Sequence, residues 1–359
     1  MPLNVVVGAQ FGGEGKGKIV SHLSIADDVD YVVRCGGPNS GHTVDYRGFR
    51  VGLRMLPAGF VNEKTKLMLA AGSLINPRIL FQEMEHCKVD RSRLIIDRNA
   101  CMISDGYSKE ELELGLRSRI GSTASGTGIG VAKRALREPE VKLAKDLQAL
   151  DPYIDNVSEK LNSALDENRK VIIEGTQGFG LSLYHSPNYP YCTSRDTTVA
   201  GFLSETGLAP SLVDNVIMAI RTFPIRVEGD SGPLAKETDW ETVRQSSGYP
   251  YPISEQTTAT GRTRRVGEFD MDIVRVAARV NRPSQLALHG ADYLGFENKG
   301  LVSYSNLSNR ALDTVNLLEK SLRVPVTFIG TGPRNEEIIQ RRMDAQGWPL
   351  EKALPIPTM

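Results

Sequence analysis

Short apolar runs alternate with longer amphipathic segments along most of the chain. β-rich runs predict strands at 3–9, 30–35, 49–57, 170–178, 213–227, 285–292 and 324–333. Helical patterns lie at 16–26, where Ile19, Val20 and Leu23 share a face, and at 74–86, 108–119, 270–281, 313–322 and 335–343. This alternation predicts an α/β fold with a large, mostly parallel central sheet flanked by helices. Without an internal repeat or a linker, we expect one domain over residues 1–359.

Six glycine- and threonine-rich segments punctuate this pattern, several of them directly after predicted strands. They span 8–18, 36–43, 121–130, 174–180, 258–265 and 330–333, and several carry Lys, Arg or His. A single glycine turn is weak evidence, because such turns end most strands. Functional loops of parallel sheets lie at the carboxyl ends of the strands, so six such loops predict a site that handles phosphates.

The first of these loops, GAQFGGEGKGK at 8–18, is similar to a P-loop but fails the Walker pattern GxxxxGK[ST]. Gly15-Lys16 would require glycine at position 10, which is Gln10, and Gly17 stands where the hydroxyl residue should follow. The physical basis of phosphate binding is still present. Backbone amides of a glycine-rich turn that enters a helix form an anion nest, and Lys16 and Lys18 add positive charge.

The overall charge and composition narrow the function further. The chain has 43 basic and 43 acidic side chains, which argues against direct nucleic-acid binding and against a polybasic membrane anchor. The four cysteines have no CxxC spacing, so a zinc site is not expected and a reducing compartment is. No apolar run approaches the length of a membrane span, and the N-terminus does not resemble a signal peptide. We therefore expect a cytoplasmic protein, in a host cell if a phage encodes it.

Seven motifs in order, GGEGKGKI, GGPNSGHT, EGTQGFG, YPYCTSRDTT, RVEGDSGPL, TGRTRR and GTGP, together resemble adenylosuccinate synthetase. The resemblance runs from residue 3 to about residue 335, without several insertions of the bacterial enzymes, so the chain is most similar to a compact, archaeal-like form. It implies a P-loop-like adenylosuccinate synthetase fold and a homodimer. It also implies a ligase that joins L-aspartate to a purine through a 6-phosphoryl intermediate, with Mg²⁺ as cofactor.

The resemblance also implies site residues. His42, Lys16 and Gln177 match catalytic positions, with His42 as the general acid and Lys16 neutralising phosphoryl charge. The acceptor nucleotide is expected at Gly13, Asn39, Ser125, Arg134, Gln177 and Thr193, where Ser125 replaces a family threonine. Aspartate is expected at Thr260, Arg262 and Arg264. The triphosphate is expected at Gly15, Lys16, Gly17, Lys18, Gly41, Thr43, Asp292, Gly332 and Pro333.

The family sends an arginine across the dimer interface to the acceptor phosphate. Lys133 and Arg134 both lie at the matching place, and the register leaves both open. Arg134 is favoured, because a guanidinium binds phosphate in a bidentate manner.

Gly13 is the first departure from the family pattern. The family has an aspartate there, which removes the purine N1 proton and binds magnesium. The absence has three explanations: an inactive homologue, a slipped alignment, or a changed substrate. EGKGKI follows without a gap, and the other catalytic positions are present, which favours the third. A missing side chain beside N1 and C2 would leave room for the 2-amino group of guanine or for a water.

Gly290 is the second departure. The family has a lysine there that packs on the guanine of GTP, while Asp292 keeps the position of the base-reading aspartate. Without that lysine, guanine selection should weaken, and an adenine nucleotide becomes a plausible donor.

Both departures resemble the bacteriophage branch of the family, 2-amino-2′-deoxyadenylosuccinate synthase. That resemblance predicts a ligase that joins aspartate to C6 of dGMP with ATP or dATP, in support of diaminopurine DNA synthesis. The deoxyribose preference rests on the resemblance alone. An ordinary enzyme using IMP and GTP, and an inactive nucleotide-binding homologue, are the alternatives.

Two parts of the predicted chemistry stay open in the sequence. The N1 proton could pass to a water beside Gly13 or to a substrate phosphate, since Gln177 is a poor base. Backbone carbonyls of Gly13 and Gly41 are the candidate magnesium ligands, with triphosphate oxygens and water completing the shell.

Overall fold

The structure, a computed structural model, describes residues 2–257, 261–344 and 347–350. Its strands are β1 (Leu3–Gly8), β2 (Tyr31–Arg34), β3 (His42–Tyr46), β4 (Phe49–Leu53), β5 (Lys66–Leu69), β6 (Leu74–Ile75), β7 (Leu94–Asp97), β8 (Cys101–Met102), β9 (Ile154–Asp155), β10 (Val171–Glu174), β11 (Asn215–Arg221), β12 (Ile225–Val227), β13 (Glu237–Thr238), β14 (Arg264–Gly267), β15 (Gln285–His289), β16 (Val326–Gly330) and β17 (Ile338–Gln340).

Ten α-helices are described along the same residues. They are α1 (Lys16–Ala26), α2 (Pro77–His86), α3 (Asp105–Glu113), α4 (Leu116–Ile120), α5 (Thr127–Leu136), α6 (Val157–Asp166), α7 (Val199–Thr206), α8 (Trp240–Ser247), α9 (Met271–Asn281) and α10 (Asn309–Leu322). None of the described helices is long and apolar enough to cross a bilayer.

A ten-stranded sheet forms the centre of the molecule, in the order β17-β16-β15-β11-β1-β10-β2-β5-β7-β9. Every neighbouring pair is parallel except the first, β17 with β16. The predicted α/β fold with a large, mostly parallel sheet is therefore confirmed.

The apolar strands separate two cores, one on each face of the sheet. Along β1, Val5 and Val7 belong to one core and Val6 to the other, because successive side chains of a strand point to opposite faces. Helices α6, α7, α9 and α10 contribute to the first core, and α1 and α2 to the second. Burial on both faces explains why the central strands are almost continuously apolar.

Three predicted helices differ from the structure. The segment 74–86 begins with the short strand β6, and its helix starts at Pro77, where the Asn76 side chain accepts the Ile79 amide at 3.2 Å. The segment 108–119 is divided at Gly115, whose φ of 65° ends α3 and begins α4. The helix predicted at 335–343 is wrong, since Ile338 and Ile339 form β17 and pair with β16, which buries both side chains.

Candidate active site

The carboxyl ends of β1, β11 and β15, with the loops that follow β2 and β10, surround one cleft of about 710 Å³. Many of the site residues predicted from the sequence line this cleft. They are Gly13, Gly15, Lys16, Gly17, Lys18, Asn39, Gly41, His42, Thr43, Gln177, Arg264, Asp292, Gly332 and Pro333. The parallel strands bring these loops together although up to about three hundred residues separate them in sequence. We call this space the active-site cleft.

Positive charge dominates the lining. The described lining has seven basic and two acidic side chains. The basic ones are Lys16, Lys18, Arg50, Arg221, Arg226, Arg264 and Lys299, and the acidic ones are Glu255 and Asp292. Such an excess of cations in a concave, partly desolvated space attracts phosphates and carboxylates. The cleft is thus suited to anionic ligands.

Glu14 organises the glycine-rich loop from inside. Its fully buried carboxylate accepts the amides of Gln10 at 3.0 Å and Gly12 at 2.8 Å, and it pairs with the Lys16 ammonium at 2.6 Å. The loop is therefore stabilised by its own acid, and Lys16 is held at the start of α1.

The N-terminus of α1 faces the cleft through Gly15, Lys16 and Gly17. Unpaired amides and the helix dipole make this end attractive to phosphate. Gly17 allows a close approach, since a Cβ there would lie 2.8 Å from the Cβ of His42. The missing Walker hydroxyl is thus replaced by a glycine that brings His42 against the phosphate-binding end of the helix.

His42 belongs to a buried network of three side chains. Its Nδ1 bonds to the Glu174 carboxylate, which also receives the Arg34 guanidinium at 2.7 Å and the Ala58 amide at 2.7 Å. Arg34 additionally donates to the Ser40 carbonyl at 3.1 Å, which ties the network to the loop before His42. The bond to Glu174 orients the ring and assigns the proton to Nδ1, so Nε2 is left for a ligand.

The electrostatics of this network favour a neutral His42 before ligands bind. Burial and the neighbouring Arg34 lower the pKa of His42 to about 4, although Glu174 opposes them. Burial alone would raise the pKa of Glu174, but Arg34 and His42 hold it below its usual value. Nε2 has no hydrogen-bond partner among the described residues. A negatively charged phosphate would supply the charge that favours its protonation.

Gly13 has no open space beside it, which contradicts the expectation of room for an amino group or a water. A Cβ at this position would lie 2.6 Å from Cδ1 of Ile225 and closer still to Nη1 of Arg264. Gly13 also has a φ of 73°, a conformation that side chains disfavour. The guanidinium of Arg264 thus occupies the place where a side chain at position 13 would begin.

The predicted magnesium ligand at Gly13 does not fit the structure. The Gly13 carbonyl accepts a hydrogen bond from Arg221 Nη1 at 2.9 Å, so a cation already lies on this oxygen. Arg221 also pairs with Glu255, which accepts the Tyr293 hydroxyl at 3.0 Å. Among the described residues, no group of three His, Cys, Asp or Glu side chains could hold an ion. Gly41 remains as the candidate protein ligand.

The predicted acceptor residues lie partly in the cleft. Asn39 and Gln177 line it, and the Asn39 amide donates to Thr193 Oγ1 at 3.1 Å. Gln177 has a φ of 64°, a strained conformation that often marks functional positions. Ser125 is outside the lining, but its hydroxyl accepts from Thr123, which is part of the lining, at 3.1 Å.

Other predicted anion-binding residues lie away from the lining. Arg134 donates to the Ala71 carbonyl at 3.0 Å, and Lys133 lies within 3.0–3.6 Å of three glutamates. Arg262 reaches the Glu228 carbonyl at 3.3 Å and is not part of the cleft lining. Thr260 is outside the described residues.

Two predicted donor-site residues have partners within the protein. The Lys18 ammonium donates to the carbonyls of Gly332 at 2.7 Å and Glu337 at 2.6 Å, and burial lowers its pKa to about 8. Asp292 is almost fully buried and accepts the Tyr249 hydroxyl. Lys18 therefore fixes the loop that carries Gly332, and Asp292 is held by the hydroxyl of Tyr249.

Several of these partners were missed in the sequence. Arg34 and Glu174 lie within two predicted strands and end the observed strands β2 and β10, and Glu174 opens the EGTQGFG motif, so both positions were visible signals. Arg221 likewise ends β11. Nothing in the local sequence pairs these side chains with His42 or Gly13, because the contacts join residues that are distant in sequence.

Comparison with known proteins gives consistent matches. The family model described as adenylosuccinate synthetase matches residues 5–148 and 140–299. The adenylosuccinate synthetase of Thermococcus sibiricus is 40% identical over 346 residues, with 95% of this chain and 99% of the relative covered. That of Methanocaldococcus jannaschii is 41% identical over 342 residues, with 94% and 96% covered.

Solved structures share the fold. The fully ligated adenylosuccinate synthetase of Plasmodium falciparum matches with a TM-score of 0.81 at 23% identity, covering 95% of this chain and all of that one. The succinoaminodeoxyadenylate synthetase of cyanophage S-2L, bound to dGMP and dATP as an energy donor, matches with a TM-score of 0.79 at 26% identity, covering 94% and 95%. With the cationic cleft at the strand ends, these matches show that the chain belongs to the adenylosuccinate synthetase family and is a C–N bond-forming ligase.

Proposed function

We propose that this ligase joins L-aspartate to C6 of dGMP, with ATP or dATP as phosphoryl donor. The observation that carries the proposal is Gly13. The loop around it is complete, with Glu14 binding its amides and Lys16 at the helix start, yet the position has no carboxylate. The phage enzyme that shares the fold is described as bound to dGMP and dATP, which supports the same substrate pair here.

Arg264 gives this departure a chemical meaning. Its guanidinium lies where a family carboxylate would begin, so positive charge replaces negative charge beside Gly13. A cation there stabilises the negative charge that the purine O6 acquires when N1 loses its proton, before O6 attacks phosphorus. A weaker base is therefore sufficient to remove the N1 proton.

His42 and Lys16 act on the phosphoryl group in this mechanism. Lys16 and the amides at the start of α1 neutralise the transferred phosphoryl charge. His42, with Nδ1 held by Glu174, takes up a proton on Nε2 when the triphosphate binds and donates a hydrogen bond from that atom in the transition state. The amino group of aspartate then displaces phosphate from C6, with its carboxylates held by Arg262, Arg264 and Thr260.

The N1 proton passes to a water or to a substrate phosphate. The two carboxylates of the described cleft lining are both engaged, Glu255 by Arg221 and Asp292 by Tyr249. Magnesium neutralises triphosphate charge in such reactions, and here the phosphates, water and the Gly41 carbonyl would hold it.

The acceptor phosphate would be held by Asn39, Ser125 and Thr193, and by Arg134 of a second subunit in a homodimer. The contacts of the two candidates favour Arg134 over Lys133. Lys133 is surrounded by three glutamates, whereas the Arg134 guanidinium has a carbonyl partner and keeps its charge for a phosphate.

An ordinary adenylosuccinate synthetase that uses IMP and GTP is the second candidate. The archaeal relatives that bear that name are 40% and 41% identical over nearly the whole chain, against 26% for the phage enzyme, which is the specific observation in its favour. Gly13 and Gly290 are the two positions that argue against it.

A substrate matrix separates these candidates. Phosphate release should be followed with aspartate and IMP, GMP, dGMP or dIMP, each against ATP, dATP and GTP. We expect kcat/KM to be highest for dGMP with ATP or dATP. A preference for GTP or IMP of about tenfold, equivalent to 1.4 kcal/mol, would favour the ordinary enzyme. Nucleotide binding without turnover of any pair would indicate an inactive homologue.

A further inference from the structure

The end of the cleft beyond Lys18 is built from aromatic side chains. Tyr249 and Tyr251 line it, and Phe296 packs on Tyr249 with ring centroids 4.8 Å apart. The Lys299 ammonium lies 5.2 Å from the ring centroid of Tyr249 and 5.4 Å from that of Tyr251, and it donates to the Tyr251 hydroxyl at 2.7 Å. Aromatic and cationic surfaces of this kind stack on purine bases.

Position 290 does not contribute a side chain to this end. A Cβ on Gly290 would lie 2.6 Å from Thr222 Oγ1, and the residue has a φ of 82°. The cation beside the aromatic rings at this end is Lys299, from a different loop. This end of the cleft accordingly retains a lysine although the one expected after β15 is absent.

Asp292 is the hydrogen-bonding group at the same end. Its side chain is 5% exposed, and one oxygen, Oδ2, accepts the hydroxyl of the equally buried Tyr249. Burial raises the pKa of the carboxyl group, and the Tyr249 bond opposes that rise. Tyr249 thus stabilises the carboxylate and at the same time uses one of its two oxygens.

The two purines present different edges to a carboxylate. Guanine has two adjacent donors, N1–H and the 2-amino group, which pair best with both oxygens at once. Adenine has one donor, the 6-amino group, beside an acceptor nitrogen, and needs one oxygen only. A guanine donor that is left poorly paired in a buried site weakens binding, because its lost hydrogen bonds to water are not replaced.

We propose that Tyr249 determines the base preference of the donor subsite, because it occupies one oxygen of Asp292 and so favours adenine over guanine. This inference rests on the proposed function for the location of the donor base. It adds a residue whose hydroxyl, by itself, changes which nucleoside triphosphate is used.

Tyr249→Phe tests the proposal, since it removes the hydroxyl and keeps the ring. With saturating dGMP and aspartate, the ratio of kcat/KM for GTP over ATP should rise by about fivefold or more relative to wild type. Tyr107→Phe is the matched control, because Tyr107 is also buried but lies in α3 outside the cleft lining. An unchanged ratio in a folded Tyr249→Phe enzyme would overturn the proposal.

Equilibrium binding of ADP and GDP gives a readout that does not require turnover. Tyr249→Phe should shift the affinity ratio toward GDP, and Tyr249→Leu, which also lacks the hydroxyl, should shift it in the same direction. A shift in neither variant contradicts the role of Tyr249. If wild type fails to use dGMP, the proposed function fails, while the ADP and GDP ratio still tests Tyr249 independently.

Discussion

The orientation and the pKa of the His42 ring are set by the buried side chains around it. Glu174 fixes the ring through Nδ1, and burial with Arg34 keeps the ring neutral in the ligand-free protein. Only a strong negative charge at Nε2, such as a triphosphate, changes that balance. In the proposed mechanism, His42 therefore gains its proton at the step where phosphoryl charge must be stabilised.

Replacing His42 tests this role. His42→Asn should lower kcat by about two to four orders of magnitude with a modest change in KM, as expected of a group that acts in the transition state. The measurement is steady-state phosphate release with the preferred substrates. His86→Asn, at an exposed position, serves as the control. If His42→Asn keeps most of its kcat, the histidine is structural and the mechanism is wrong.

Gly13 allows the most direct test of purine choice. In Gly13→Asp, a carboxylate would displace or pair with Arg264 and stand beside the purine, where it can act as a base for IMP and crowd dGMP. We expect the ratio of kcat/KM for dGMP over IMP to fall by about tenfold or more.

Gly13→Ala is the control for this change, because it introduces the same backbone strain and the same contact with Ile225 without a carboxylate. It should weaken both acceptors and leave the ratio nearly constant. A ratio that stays unchanged or rises in Gly13→Asp would show that position 13 does not set purine choice.

At the scale of the elements, the sequence was informative about strands and loops and less so about what they contact. Apolar runs predicted β1, β2, β10, β11, β15 and β16, because strands buried on both faces must be apolar, and the glycine loops predicted the cleft. The shorter strands β5, β7 and β9 of the same sheet were not predicted. The short β17 was predicted as a helix, because two buried isoleucines satisfy either pattern. The bond between Glu174 and Arg34 spans 140 residues, so only the fold reveals it.

Lys18 joins two elements of the site. Lys18 belongs to α1, and its ammonium donates to the carbonyls of Gly332 and Glu337, on the loop between β16 and β17. Lys18→Met should therefore release that loop, raise KM for the nucleoside triphosphate by about tenfold and change KM for aspartate less, since the lost contacts position the donor side.

The same substitution should lower the free energy of unfolding by about 1–3 kcal/mol, because two buried carbonyls lose their donor. Chemical denaturation followed by circular dichroism measures this change. Lys64→Met is the control, since Lys64 forms an exposed ion pair far from these carbonyls. Equal increases of KM for donor and aspartate would contradict the positioning role of Lys18.

The stability of the whole molecule should depend on pH through its buried histidines. Burial lowers the pKa of His42 to about 4 and that of His289 well below its ordinary value. The unfolded chain binds these protons near pH 6.5, so the free energy of unfolding should fall as the pH falls below 6.5 and continue to fall toward 4. Each histidine contributes about 1.4 kcal/mol per pH unit in that range.

Denaturant titrations at pH 7.5 and pH 5.0 measure this loss. His42→Asn should make the difference between the two pH values smaller, whereas the exposed control His86→Asn should leave it unchanged. A pH dependence that is identical in wild type and His42→Asn would mean that His42 has the same pKa in the folded and the unfolded chain, and would contradict the lowered pKa.

The proposed homodimer makes a quantitative prediction about mixed subunits. If Arg134 reaches the acceptor phosphate of the partner, each site takes His42 from one subunit and Arg134 from the other. Arg134→Met and His42→Asn should each be nearly inactive alone. Refolded together in equal amounts, they form heterodimers in half of the molecules, and each heterodimer has one intact site. By the symmetry of a twofold dimer, the mixture should recover about a quarter of wild-type activity.

Lys133→Met in place of Arg134→Met is the control, because the glutamates around Lys133 already use its charge. Without recovery in a mixture where heterodimers are detected by mass, Arg134 would act within its own subunit, and the site would be complete in one chain.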